Sequence, residues 1–126
     1  MNYKILFVDD DEFIRKIYLD RLKASGLDVV VANSVLSAKQ EIDNQDFDLV
    51  CLDHLLGDQS GLDVLKWIRT EKQLKIPVLI FSASGHEQKV EEFMAAGATE
   101  YVQKDHVVPS ELVKKMLEAI EASKHA

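Results

Sequence analysis

The sequence predicts an α/β domain built on a doubly wound, five-stranded parallel sheet with five helices. Three observations carry this. Five short apolar runs recur along the 126 residues, segments with helical spacing separate them, and acids follow the first and third runs. Short continuous apolar runs suit strands buried on both faces, as parallel strands with crossover helices are.

The first run, residues 5–8, is followed by Asp9, Asp10, Asp11 and Glu12, and then by Ile14, Tyr18 and Leu22 at helical intervals, with Gly26 closing the helix. Asp11 and Glu12 read as the start of that helix, since acids favour a helix N-terminus. Residues 29–32 form the second run, before a helix marked by Ala38 and Ile42. The third run, residues 49–52, ends at Asp53, and Leu62, Leu65 and Ile68 mark the helix after it. Pro77 opens the fourth run, residues 78–81, which ends at Ser82; Val90, Phe93 and Met94 then mark a helix ending at Gly97. The fifth run, residues 99–102, precedes Lys104, and Pro109 suits the first turn of a last helix carrying Leu112, Val113, Met116, Leu117 and Ile120.

Right-handed crossovers cover both sheet faces with helices, and the strand order expected is 2-1-3-4-5. In such sheets the site lies at the carboxyl ends of the strands, where the order reverses, here between strands 1 and 3. Asp9, Asp10 and Asp53 converge there, and four consecutive acids are tolerated where a strand ends in solvent or where a cation sits among them.

Composition narrows the function. The length fits one domain spanning residues 1–126, with no linker, repeat or low-complexity tract. A net charge of −7 has the wrong sign for phosphate-driven nucleic-acid binding. No apolar run approaches the roughly 18 residues of a membrane span, and no secretory leader is evident, so a cytoplasmic location is expected. Cys51 is the only cysteine, which excludes an internal disulfide and reads as a buried thiol. His54 follows Asp53 but alternates to the other side of the strand end, which argues against a metal role, while His86, His106 and His125 look superficial.

An acid pair after strand 1 (Asp9, Asp10), an acid ending strand 3 (Asp53), a hydroxyl ending strand 4 (Ser82, then Ala83) and a lysine after strand 5 (Lys104) occur in one order. With them the chain resembles, along nearly its whole length, the receiver domains of two-component response regulators. The resemblance implies the flavodoxin-like (βα)5 receiver fold and a phosphoryl group accepted on Asp53 from a histidine kinase, a phosphotransfer protein or a small phosphodonor, with Mg²⁺ as cofactor. Asp10 and Asp53 fit as direct Mg²⁺ ligands, with Asp9 acting through water and the main-chain carbonyl of Leu55 as a further ligand. Lys104 pairs with Asp53 and then with the phosphoryl group, and Ser82 donates its hydroxyl. Tyr101 turns inward behind Ser82, and the face made by the fourth helix, fifth strand and fifth helix changes its partner preference. That face could also join two copies. Such a domain is not an enzyme beyond catalysing its own phosphorylation and dephosphorylation.

Two departures from the family pattern stand out. Gly57 replaces the usual proline four residues after the acceptor, which predicts a looser loop over residues 57–61. Asp105 replaces a proline commonly preceded by a cis peptide. Leu55 and Ser84 occupy positions that tune phosphoryl lifetime, and neither orients an attacking water, which predicts slow self-dephosphorylation. A phosphohydrolase resembling the haloacid dehalogenases, with Asp9 and Asp11 as its Asp-x-Asp, lacks a cap and a further acidic motif. A flavin phosphate would be repelled by the acids after strand 1. A scaffold acting without phosphorylation remains the alternative. The effector, whether fused or a separate protein, is not named by the sequence.

Overall fold

In the computed structural model, which describes residues 2–83 and 89–124, the strands and helices alternate as the sequence predicts. The main sheet comprises β1 (Lys4–Val8), β2 (Asp28–Ala32), β3 (Leu49–Leu52), β6 (Val78–Ser82) and β7 (Glu100–Gln103). All four pairings are parallel, in the order β2-β1-β3-β6-β7. This is the expected 2-1-3-4-5, because β4 (Leu55–Leu56) and β5 (Gln59–Ser60) form a separate small hairpin.

Alternation along the strands sorts side chains into two cores. Leu6, Val8, Val50, Leu52, Val78 and Ile80 pack against α2 (Val35–Asn44), α3 (Gly61–Lys66) and α4 (Val90–Ala95) through Ala38, Ile42, Leu65 and Phe93. Ile5, Phe7, Leu49, Cys51, Leu79 and Phe81 pack against α1 (Glu12–Ala24) and α5 (Pro109–Lys124) through Tyr18, Leu22, Leu112, Met116 and Ile120. Fully burying each such Leu, Ile or Phe stabilises the fold by about 1.5–3 kcal/mol. Cys51 is a buried free thiol in the second core, as expected from its place in an apolar run.

Helix starts follow local chemistry. Asp11 accepts from the Phe13 and Ile14 amides, so this acid is a cap and not part of a cation site. Ser34 and Ser37 form a reciprocal cap on α2, and Ser60 caps α3 at the Leu62 amide. After α3 the chain loosens into a π-helical turn, Trp67–Glu71. There Arg69 donates from Nε to the Gly97 carbonyl and from Nη1 to the Leu74 carbonyl, bracing this turn against the end of α4.

The loop after β3 differs from the loose excursion the sequence predicts. Leu55 pairs with Ser60 and Leu56 with Gln59 around Gly57 and Asp58. Gly57 takes φ +65° while Asp58 does not have a positive φ, the pattern of a type II′ hairpin turn, so glycine here builds a defined turn. The hairpin's return end is clamped to the strand it left, with the Gly61 amide donating to the His54 carbonyl at 2.6 Å. A Cβ on Gly61 would lie 2.0 Å from the Asp53 carbonyl oxygen, so only glycine permits this approach. We therefore expect Gly61→Ala to destabilise the protein by about 2–4 kcal/mol, at the upper end of overpacking costs, in urea unfolding. An unchanged midpoint would show that the hairpin moves away without cost.

Candidate functional site

The carboxyl ends of β1 and β3 lie side by side, and the two strand continuations are locked to their neighbours. The Asp9 amide donates to the Ala32 carbonyl at 3.1 Å and the Asp53 amide to the Val8 carbonyl at 3.0 Å. This registers Asp9 and Asp53 against each other, with Asp10 at the rim. One carboxylate oxygen from each of Asp9, Asp10 and Asp53 lies within 4.8 Å of the others. Asp9 and Asp53 are buried, and Asp10 is exposed.

Among the described residues, one ammonium, that of Lys104, contacts two of the three carboxylates. Lys104 Nζ lies 2.8 Å from Asp9 Oδ2 and 3.2 Å from Asp53 Oδ2. The contact with Asp9 lacks hydrogen-bond alignment, which leaves that buried oxygen without a directed donor, while the contact with Asp53 is a hydrogen bond. Asp9 Oδ1 accepts from the Asp11 amide at 2.9 Å. Arg15 donates to the Asp9 carbonyl oxygen at 2.8 Å, which ties α1 to the acid-bearing turn.

Burial first, and then the charge on Asp9, pushes the Asp53 carboxyl up to about 7 against the pull of Lys104. For Lys104, burial alone would lower the pKa, but the adjacent carboxylates of Asp9 and Asp53 outweigh it and hold the ammonium above its ordinary value. The cluster is thus short of positive charge. An undirected buried oxygen on Asp9 and an acceptor that resists ionisation fit a hard divalent cation with oxygen ligands.

The other expected residues are placed as follows. Ser82 ends β6, beside β3, fully buried, and its hydroxyl donates to the Ala83 carbonyl. The Leu55 side chain is half exposed at the start of the hairpin, pointing to no ligand role of its own. Among the described residues no peptide is cis, so the Lys104–Asp105 bond is trans, and Lys104 opens a 3-10 turn, Lys104–His106. Ser84, His86 and His125 lie outside the described residues, and His106 is exposed.

His54 has a larger part than its sequence position suggested. It is buried on the opposite side from the acids, with its ring edge-on to Phe93 at 4.9 Å and its Nδ1 3.1 Å from the Tyr101 hydroxyl. Strand alternation predicted the side correctly, but nothing in the sequence near His54 pairs it with a tyrosine 47 positions away. Beyond Tyr101, a groove of about 400 Å³ runs between β7 and α5, lined by Gln103, His106, Glu111 and Lys115 among others.

A profile of the response regulator receiver domain matches residues 5–117. The chain is 30% identical over 110 residues to the polar-differentiation response regulator DivK of Brucella ovis, covering 86% of this chain and 89% of that one. It is 35% identical over 104 residues to the alkaline phosphatase synthesis transcriptional regulatory protein PhoP of Bacillus subtilis, covering 82% of this chain but 43% of that regulator. Among solved structures, a CheY-like receiver domain protein of Methanospirillum hungatei superposes with a TM-score of 0.91 over 99% of this chain and 98% of its own, and at 24% identity this speaks for the fold. A receiver domain protein of Clostridium thermocellum gives a TM-score of 0.88 at 27% identity over 97% of each chain.

The raised Asp53 value carries a sign. The folded protein binds a proton on Asp53 between its ordinary value near 4 and about 7, so this group's contribution to stability is full below pH 4 and is lost as pH rises through 7. In thermal unfolding with chelator, wild type should lose stability relative to Asp53→Asn across that window. At pH 8 the variant should be more stable by about 1–3 kcal/mol. Parallel pH profiles for the two proteins would show that Asp53 ionises without strain.

Proposed function

The chain belongs to the response regulator receiver domain family, and we propose that it accepts a phosphoryl group on Asp53 and changes its partner preference as a result. The observation that carries this reading is the pairing of Asp53 with Asp9 across one lysine, at the adjacent carboxyl ends of β1 and β3. A structural ion pair would match charges; this one leaves carboxylates in excess beside an acceptor that is costly to ionise.

The residues divide the work. An Asp53 carboxylate oxygen attacks phosphorus as the bond to the donor's nitrogen or oxygen breaks, and the leaving group departs with its electron pair. Lys104 shifts from the Asp53 carboxylate to the phosphoryl oxygens, and Ser82 turns its hydroxyl from the Ala83 carbonyl toward them. Asp9, Asp10, Asp53 and the Leu55 carbonyl would hold Mg²⁺, which when bound neutralises charge on the transferring group. A cation held there would favour the ionised form of Asp53, the form that acts as nucleophile. The donor is a histidine kinase or a phosphotransfer protein, and no catalysis beyond phosphoryl entry and loss is proposed.

The output side is supported by contact. Tyr101 joins the groove of β7 and α5 to His54, the residue next to the acceptor, so a change at Asp53 has a short path to that surface. The partner is a downstream protein or effector domain, bound by residues 1–126 acting as one receiver unit in the cytoplasm. Among the described residues no helix is long and apolar enough to cross a membrane.

Incubation with acetyl phosphate and Mg²⁺ should add one labile phosphate by intact mass. The adduct should be absent from Asp53→Asn and from samples with chelator. A wild-type protein that takes no phosphate, and does not bind beryllofluoride, would point to the scaffold without phosphorylation; an adduct on Asp9 would point to a hydrolase.

The exposed Leu55 side chain, two residues past the acceptor, offers no group to orient water. Leu55→Asn should therefore shorten the phosphoryl half-life several-fold, measured by decay of the adduct. An unchanged rate would remove Leu55 from control of lifetime.

A further inference from the structure

We infer that the β4–β5 hairpin is a positioning element for the cation site, acting through the Gly57 amide, which orients the Asp10 carboxylate for metal binding. The inference rests on the proposal that the acid cluster takes Mg²⁺, and adds a residue that no side-chain motif reveals. Gly57 N–H donates to Asp10 Oδ2 at 2.8 Å, a charge-assisted bond between residues 47 positions apart.

Asp10 needs such a partner more than its neighbours do. Asp9 is buried and held by the Asp11 amide and Lys104, and Asp53 is buried and held by Lys104. Asp10 stands exposed at the rim, where a free carboxylate samples several rotamers and is repelled by two acids. A donor on Oδ2 fixes the rotamer and leaves Oδ1 and the remaining lone pairs for a cation. Hydrogen bonds of this kind to metal ligands change affinity by about 10- to 100-fold when removed.

The hairpin is built to present that amide. Its far end is clamped to the acceptor strand by Gly61, and its turn places Gly57 at φ +65°, with its N–H directed at Asp10. The six-residue excursion is therefore fixed at its turn to Asp10 and at its return end to His54, the residue after the acceptor. A proline at position 57 would carry no N–H and could not adopt this φ, so the arrangement belongs to a chain with glycine here.

The test uses ¹⁵N-labelled residues 1–126 and Mg²⁺ alone as the probe. Amide exchange of Gly57 should be at least about tenfold slower than the unstructured rate, and should stay so in saturating Mg²⁺. By NMR titration, Gly57→Asn, which keeps the N–H and tolerates a positive φ, should bind Mg²⁺ within about twofold of wild type. Gly57→Pro should bind about tenfold more weakly or worse. If Gly57→Pro fails to fold, the wild-type exchange measurement decides alone. An unprotected Gly57 amide in Mg²⁺-loaded wild type, or wild-type affinity in a folded Gly57→Pro, would overturn the inference while leaving the Mg²⁺ site intact. Wild type that does not bind millimolar Mg²⁺ would overturn the metal site itself, and the positioning role with it.

Discussion

Two carboxylates buried side by side with one ammonium between them set the terms for everything else in this molecule. At the distances seen, Lys104 favours Asp9 over Asp53 by 0.4 Å, and burial leaves neither acid well solvated. Removing water makes the repulsion between Asp9 and Asp53 stronger, and with it the attraction of any added cation. A fold that needed only stability would bury apolar side chains here, since such clusters commonly cost more than they return. The rest of the architecture makes the cost tolerable. The Ala32 and Val8 carbonyls register the strand ends, the two cores hold β1 and β3 rigid from both faces, and Arg15 and Asp11 anchor the turn between β1 and α1.

The same rigidity links the neighbourhood of Asp53 to the far side of the sheet. His54 shares a peptide bond with Asp53 but points to the opposite face, where its ring meets Phe93 of α4 and its nitrogen meets Tyr101 of β7. Phe93 and Tyr101 also touch each other edge-on at 5.7 Å, closing a three-ring cluster that spans three elements. Packed rings with a hydrogen bond among them adjust as a unit, because a shift of one leaves a void or an unmatched polar atom at the others. The sheet thus carries acid chemistry on one side of β3 and an aromatic relay on the other, with one residue step between them.

The sheet was legible in the sequence because each strand is a continuous apolar run, a pattern that does not depend on which elements are neighbours. Handedness and alternation led to a doubly wound sheet, within which the order 2-1-3-4-5 was one choice among several, and the acid cluster followed from the rule that strand ends at a reversal converge. Boundaries were less legible: the last strand begins at Glu100 and ends at Gln103, one residue later at each end than the apolar run. β-Branched Thr99 instead spends its side chain and amide bonding Val78 at the strand entrance. The hairpin and the π-helical turn were missed for a shared reason. Two-residue strands have no periodicity to read, and the turn over Trp67–Glu71 keeps the helical spacing of Leu62, Leu65 and Ile68 while changing only its hydrogen bonds. The His54–Tyr101 contact depends on tertiary placement, which no local pattern encodes.

The reading of glycine at position 57 shows how a local rule can mislead when its partner is unseen. Backbone freedom argued for a loose loop, and that argument holds for the unfolded chain. In the folded protein the same freedom admits a positive φ, the positive φ admits a tight hairpin turn, and the turn delivers an N–H to Asp10. Replacing a rigid residue by a permissive one therefore adds a polar contact that the rigid residue could not make. The contact falls on Asp10, the one acid of the cluster open to solvent, so the hairpin sets how this carboxylate stands while leaving the solvent side of the cluster clear.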